Sequence, residues 1–100
     1  MHNKAPESVL TGQRTRAADI WALGVLIFEC STGKWPFGPL ETLSDKEICK
    51  MIVEKEPDWN LVQESCLVSL LKMMLEKNEK KRAKIKTVIN HPWVQVIKST

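Results

Sequence analysis

Residues 18–30 read ADIWALGVLIFEC. The stretch has the length and residue preferences of a helix, yet it has almost no polar side. Asp19 near its start and Glu29 near its end are its only charges. A helix that is apolar all round has to be buried all round, and a chain of 100 residues makes one domain with a single modest core. The helix must therefore be the axle of that core, with other segments packed on every side.

The rest of the chain supplies helices for this purpose. Pro6 in APESVL suits the first position of a short helical turn, where its missing N–H is not needed. TGQRTR reads as a loop. The axle itself runs from about Arg16 to Thr32, and Gly33 offers a left-handed C-cap. Two prolines and a glycine make KWPFGPLETL a loop. SDKE at 44–47 is a capping box, with Ser44 and Glu47 as its members, and Ile48, Met51 and Ile52 follow at helical spacing to about Lys55. Leu67, Leu70, Leu71, Met74 and Leu75 form the apolar face of a helix from Glu64 to Glu76. A short helix over Ile85–Asn90 stops before Pro92. No stretch reads as a strand. The expected fold is all-α, with four main helices in one domain over residues 1–100.

Composition excludes several roles. The net charge of +3 is too mild to argue for nucleic acid. The apolar run of about 14 residues is shorter than the roughly 20 that span a bilayer. Cys30, Cys49 and Cys66 are odd in number and lack metal or redox spacing, which points to free thiols in a reducing, intracellular setting, the cytoplasm. His2 and His91 form no metal site with them. Lys72, Lys77, Lys80, Lys81, Arg82, Lys84 and Lys86 are interleaved with Glu76 and Glu79 and have no stacking aromatics among them. They read as a solvated face, with neither nucleic acid nor membrane as partner.

Four motifs in register carry a family resemblance. APE at 5–7, ADIWALGVLIFECSTGKWPF at 18–37, LLKMMLEKNEKKR at 70–82 and HPW at 91–93 resemble the distal part of the C-terminal lobe of eukaryotic serine/threonine protein kinases. The resemblance covers nearly the whole chain and implies a partial kinase C-lobe with residues 18–30 as its buried central helix. It implies structural roles for Ala5, Pro6, Glu7, Asp19, Trp21, Gly24, Arg82, His91, Pro92 and Trp93. Glu7 and Arg82 match an ion pair between the APE acid and the arginine of the last turn. Asp19 matches an acid that accepts hydrogen bonds from the catalytic-loop backbone; read from this chain alone, it is a helix-start acid favoured by the helix dipole.

Trp35, Pro36 and Phe37 are either packing over the base of the lobe or a docking surface for a protein. Trp21, Trp59 and Trp93 read as core anchors. His91 reads as a helix-end residue, and no serine is placed by the sequence where His91 could activate it. Asn3, Lys4, Ser69 and Glu79 depart from the family's pattern.

The family's glycine-rich loop, strand lysine, HRD loop and DFG acid have no counterpart in these 100 residues. The expectations that follow are no catalytic residue, no cofactor and no metal for this chain, with ATP and magnesium belonging to the parent family. A catalytic kinase with its upstream half elsewhere and an unrelated helical adaptor are the alternatives. The missing helix before the catalytic loop should leave one flank of the axle exposed, holding some of Ile20, Leu23, Ile27 and their neighbours. That flank, or the KWPF loop, would be the site for a protein partner or for self-association, and the isolated chain would be marginally stable.

Overall fold

The computed structural model describes residues 2–99. They form α1 (Pro6–Thr11), α2 (Arg16–Thr32), α3 (Asp45–Glu54), a 3-10 turn (Trp59–Leu61), α4 (Ser65–Met74), α5 (Ile85–Ile89) and α6 (Pro92–Ser99). No strand occurs among the described residues, as an all-α chain requires.

The helix ends follow from local chemistry. Thr15 caps α2 by accepting from the Ala18 N–H at 3.1 Å. Gly33 closes it at φ 74°, its N–H donating to Glu29 O at 2.7 Å. Ser44 and Glu47 form the full capping box of α3. The capping contacts, first from the Ser44 backbone N–H and then from its hydroxyl, hold the Glu47 carboxyl below its ordinary range.

The core lies around α2. Trp21, Val25 and Phe28 are fully buried, as are Ile52, Leu70, Leu71 and Met74. At Gly24, α2 meets α4 closely: a Cβ there would sit 3.0 Å from Met74 Cβ and 3.1 Å from Leu75 Cδ2. Glycine is what lets the two helices approach.

The short helix ends before Pro92 as expected, but helical structure resumes beyond it. Pro92 does not end the helical structure; it opens α6 as its first residue, the position a proline tolerates best. His91 is the residue that caps α6. Its Nδ1 accepts the Trp93 N–H at 3.1 Å, and its carbonyl accepts the first helical bond, from Gln95 N at 3.0 Å.

Candidate functional site

The residues singled out by sequence fall into four places. The first is an anchor. Arg82 follows the turn after α4, and its side chain is entirely buried. Its Nη1 donates to Glu7 Oε2 at 2.6 Å and its Nη2 to Glu7 Oε1 at 2.8 Å, the bidentate fork. The same guanidinium donates to Ala17 O at 2.9 Å and to Glu76 O at 2.8 Å, and lies 5.2 Å from the Trp21 ring centroid. One side chain thus joins α1, the start of α2 and the turn after α4. Ala5 and Pro6 set this up: Ala5 is buried, and Pro6 starts the helix that carries Glu7. The expected pair is formed.

The second is an aromatic box. Trp21 stacks on Phe37 with centroids 6.0 Å apart, and Trp35 meets the Phe37 edge at 5.1 Å. Trp35 Nε1 donates to His2 O at 2.9 Å. Trp35, Pro36 and Phe37 are buried, so of the two expected roles they fill the packing one. Together with Lys34, Glu41, Lys55 and Asp58 they line a cleft of about 510 Å³.

Lys77 was read as part of a solvated basic face, and this too changes. Its ammonium lies 4.8 Å from the Phe37 ring centroid and 5.5 Å from that of Trp21, and donates to Ile52 O at 2.5 Å. It thereby serves one of the carbonyls that the last turn of α3 leaves without a helical partner. Burial pushes its pKa down, partly offset by the charge of Glu56. With Arg82, Lys77 leaves the solvated cluster for the interior. No sequence signal marks this, because a lysine just past a helix end is equally at home in water.

The third place is the open flank of α2. Leu23 and Leu26 are 37% and 55% exposed. Asp19 lies on the same side and accepts from Arg14 Nε at 2.8 Å in an exposed pair. Of the candidates for the open side, Leu23 is exposed, Ile27 half-buried and Ile20 buried. Leu26 is the more exposed of the two leucines.

The fourth is the α6 cap. His91 is 7% exposed, and its Nε2 lies 3.1 Å from Ser69 Oγ. The sequence placed no serine near His91; α4 supplies one. Since Nδ1 accepts from Trp93, the ring proton sits on Nε2 and is donated to Ser69. A nitrogen that donates cannot take the serine's proton, so the contact is a structural one and no nucleophile is activated. Trp93 is half-buried, its Nε1 donating to Glu64 at 3.3 Å. Trp59 is half-buried as well, edge-on to Phe28 at 6.2 Å.

Nothing among the described residues brings three His, Cys, Asp or Glu side chains together as metal ligands. Asp19, the acid on the open flank, already takes Arg14. Magnesium ATP needs acids converging on the metal beside donors for its phosphates; the residues present do not fit that group.

An axle helix fixed by a buried Arg–Glu fork, a tryptophan box and a histidine-capped last helix together match a known domain. The family described as "Protein kinase domain" matches residues 2–94. Calcium-dependent protein kinase 27 of Arabidopsis thaliana is 36% identical over 93 residues, covering 91% of this chain and 19% of its own length. The human SNF-related serine/threonine-protein kinase is 36% identical over 93 residues, covering 91% and 12%. The Aurora kinase of Debaryomyces hansenii is 33% identical over 89 residues, covering 89% and 21%. The fold matches the crystal structure of the Rad53 kinase domain and SCD2 in complex with AMPPNP with a TM-score of 0.78, over 94% of this chain and 38% of that one, at 19% identity.

The chain belongs to the protein kinase domain family, and its helices correspond to part of the C-terminal lobe. This sets aside the unrelated adaptor. The chain spans about a fifth or less of the length of these curated relatives.

Proposed function

We propose that these 100 residues act as a supporting and protein-binding part of a serine/threonine kinase C-lobe, and do not transfer phosphate on their own. The observation that carries this reading is the flank of α2. Leu23 and Leu26 stand exposed beside Asp19 on a helix that otherwise forms the centre of the core. Large apolar side chains in a row on a surface mark a place where another protein packs. Against phosphotransfer stands the lack of converging acids among the described residues.

The test is incubation of the chain with ATP, magnesium and a generic serine/threonine peptide, with contaminating kinases depleted. The expected incorporation equals that of a buffer blank. Incorporation above the blank that tracks the chain through purification overturns the reading.

The same flank favours a second reading. By resemblance, Asp19 would hold the catalytic-loop backbone of an active kinase whose upstream half covers α2, and ATP and magnesium would be bound by that half. Mapping transcripts upstream of Met1 separates the two. Either way the proposed setting is the cytoplasm. Supporting it is the cysteine usage: Cys30, Cys49 and Cys66 form no disulfide.

A further inference from the structure

α4 turns Leu67, Leu70, Leu71 and Met74 into the core. On its other side Ser69, Lys72, Met73 and Glu76, with Lys81 of the following turn, line a shallow depression of about 570 Å³. A second depression of about 490 Å³ adjoins it. Met73 belongs to both, and Lys86 and Asn90 border the second. Together they make one trough with the half-buried Met73 in its floor. The trough lies on the side of α4 turned away from α2, so it does not depend on what covers the open flank.

The charge around this trough is not balanced within the chain. Lys72, Lys80, Lys81, Lys84 and Lys86 are all exposed. The ion pairs among the described residues join His2 to Glu29, Arg14 to Asp19 and Arg82 to Glu7, and use none of these lysines. Glu76 and Glu79 alternate with them in sequence without pairing with them. Glu76 instead accepts the Asn78 N–H at 3.4 Å. Lys72 rests 5.9 Å from the Trp59 ring centroid, a contact that attracts a cation without neutralising it.

Buried His91 adds an oriented donor. Its Nδ1 accepts the Trp93 N–H, so its Nε2 carries the proton and donates to Ser69 Oγ at 3.1 Å. Ser69 is thus approached by a donor from behind. Its own hydroxyl proton has no acceptor among the described residues, and the residue is exposed where it lines the trough. A hydroxyl donor beside two unpaired ammoniums is a donor set for a carboxylate, whose charge strengthens each hydrogen bond.

We propose that this trough docks an extended acidic segment of a partner protein, with one carboxylate at Ser69, Lys72 and Lys81 and further acids toward Lys86. This goes beyond the reading above and uses a different face. A peptide is favoured over a nucleic acid because no Trp or Phe lines the trough for bases to stack on. The methionine floor is apolar and adaptable, as the aliphatic parts of a peptide need.

The test is fluorescence anisotropy with a short labelled peptide of alternating glutamate and alanine, and its glutamine counterpart. The unsubstituted chain is expected to bind the first and not the second. Affinity should fall at least tenfold between about 0.01 and 0.15 M salt, as the screening length shortens from about 30 to about 8 Å. Lys72→Glu with Lys81→Glu should weaken binding at least tenfold. Lys46→Glu with Lys50→Glu, the same charge change on exposed lysines of α3, should leave it within about threefold, since these lie outside the trough. Ser69→Asp keeps an acceptor for His91 but sets a charge where the ligand's would lie, and should weaken binding at least tenfold. Ser69→Ala should cost about threefold, the worth of one modest hydrogen bond.

No binding by the unsubstituted chain, or equal binding of the two peptides, overturns the proposal. Equal losses from the two lysine pairs would mean that net charge alone acts, and overturn the trough. An oligothymidine bound more tightly than the glutamate peptide would make the partner a nucleic acid and overturn the proposal as well. Binding unchanged by both Ser69 substitutions overturns the role of the hydroxyl. None of these outcomes bears on phosphotransfer or on the α2 flank, which their own experiments decide.

Discussion

Arg82 grips Glu7 across 75 positions of sequence with both arms of its guanidinium, at 2.6 and 2.8 Å. The arginine side chain is fully buried and the glutamate nearly so. Removing either partner strands a buried charge, which costs about 3–5 kcal/mol. Arg82→Ala should cost more than Glu7→Ala, because it also abandons the carbonyls of Ala17 and Glu76. Urea unfolding of both single variants and the double variant measures this. The double variant is expected to lose clearly less than the sum of the two singles; simple additivity would mean that the pair does not couple.

The same pair sets a pH dependence. Burial works to raise the Glu7 carboxyl, but the Arg82 hydrogen bonds, its own backbone N–H and the guanidinium charge outweigh it and hold it below the ordinary value of 4.5. A carboxyl lowered in the folded state contributes stability that is fully present above the unfolded value and is lost as pH falls through the folded value. Acid titration of the unfolding free energy should therefore be flat above about pH 5 and fall below 4.5. Glu47, lowered by its capping contacts, adds to the fall. Glu7→Gln should start from lower stability and show a shallower acid limb. An acid limb unchanged by Glu7→Gln would show that the carboxyl is not held as described.

Gly24 predicts a sign. Alanine in place of glycine inside a helix ordinarily stabilises by up to about 1 kcal/mol. Here the added carbon would meet Met74 Cβ at 3.0 Å, an atom fixed to the α4 backbone that cannot swing aside. Gly24→Ala should be net destabilising, and Gly24→Val should lose about 2–3 kcal/mol from overpacking. Thermal melts of the two variants measure this, and a Gly24→Ala protein that melts above the parent would show that α2 and α4 have slack.

His91 makes a cap, and caps have known substitutes. His91→Ala should cost about 1 kcal/mol, and His91→Asn, whose side chain can accept the Trp93 N–H, should recover much of it. Chemical denaturation of both variants reads the difference. Equal losses would mean that the ring's packing outweighs its hydrogen bond.

Much of this was legible in sequence, and for local reasons. Gly33, Ser44 and Glu47 announce helix ends because capping is decided within four residues. Glu7 and Arg82 could be paired only through the family's register, since nothing local links positions so far apart. What escaped was set by packing. The stop before Pro92 was legible, but the helix that Pro92 opens was not, because a proline suits both the end of one helix and the start of the next. Lys77 looked solvated, because whether a lysine turns inward depends on a distant carbonyl at Ile52 and two rings. Ser69 met His91 only when α4 and α6 packed together. Which of Ile20, Leu23, Ile27 and their neighbours stand on the open flank was not legible, because an all-apolar helix gives no clue to which side lacks cover.

The central claim is that α2 is enclosed except along the strip bearing Leu23 and Leu26, and one measurement meets it directly. The chain carrying both Leu23→Glu and Leu26→Glu should be compared with the parent for hydrophobic-dye binding and for its thermal melt. Exposed positions tolerate such changes within about 0.5 kcal/mol, about 2–4 °C for a domain of this size. The account predicts reduced dye fluorescence, with a remainder on other exposed apolar side chains such as Leu10 and Val96, and a cooperative melt shifted by no more than that. Dye binding unchanged from the parent, or a melt that collapses, would mean that Leu23 and Leu26 are not an exposed strip of the helix.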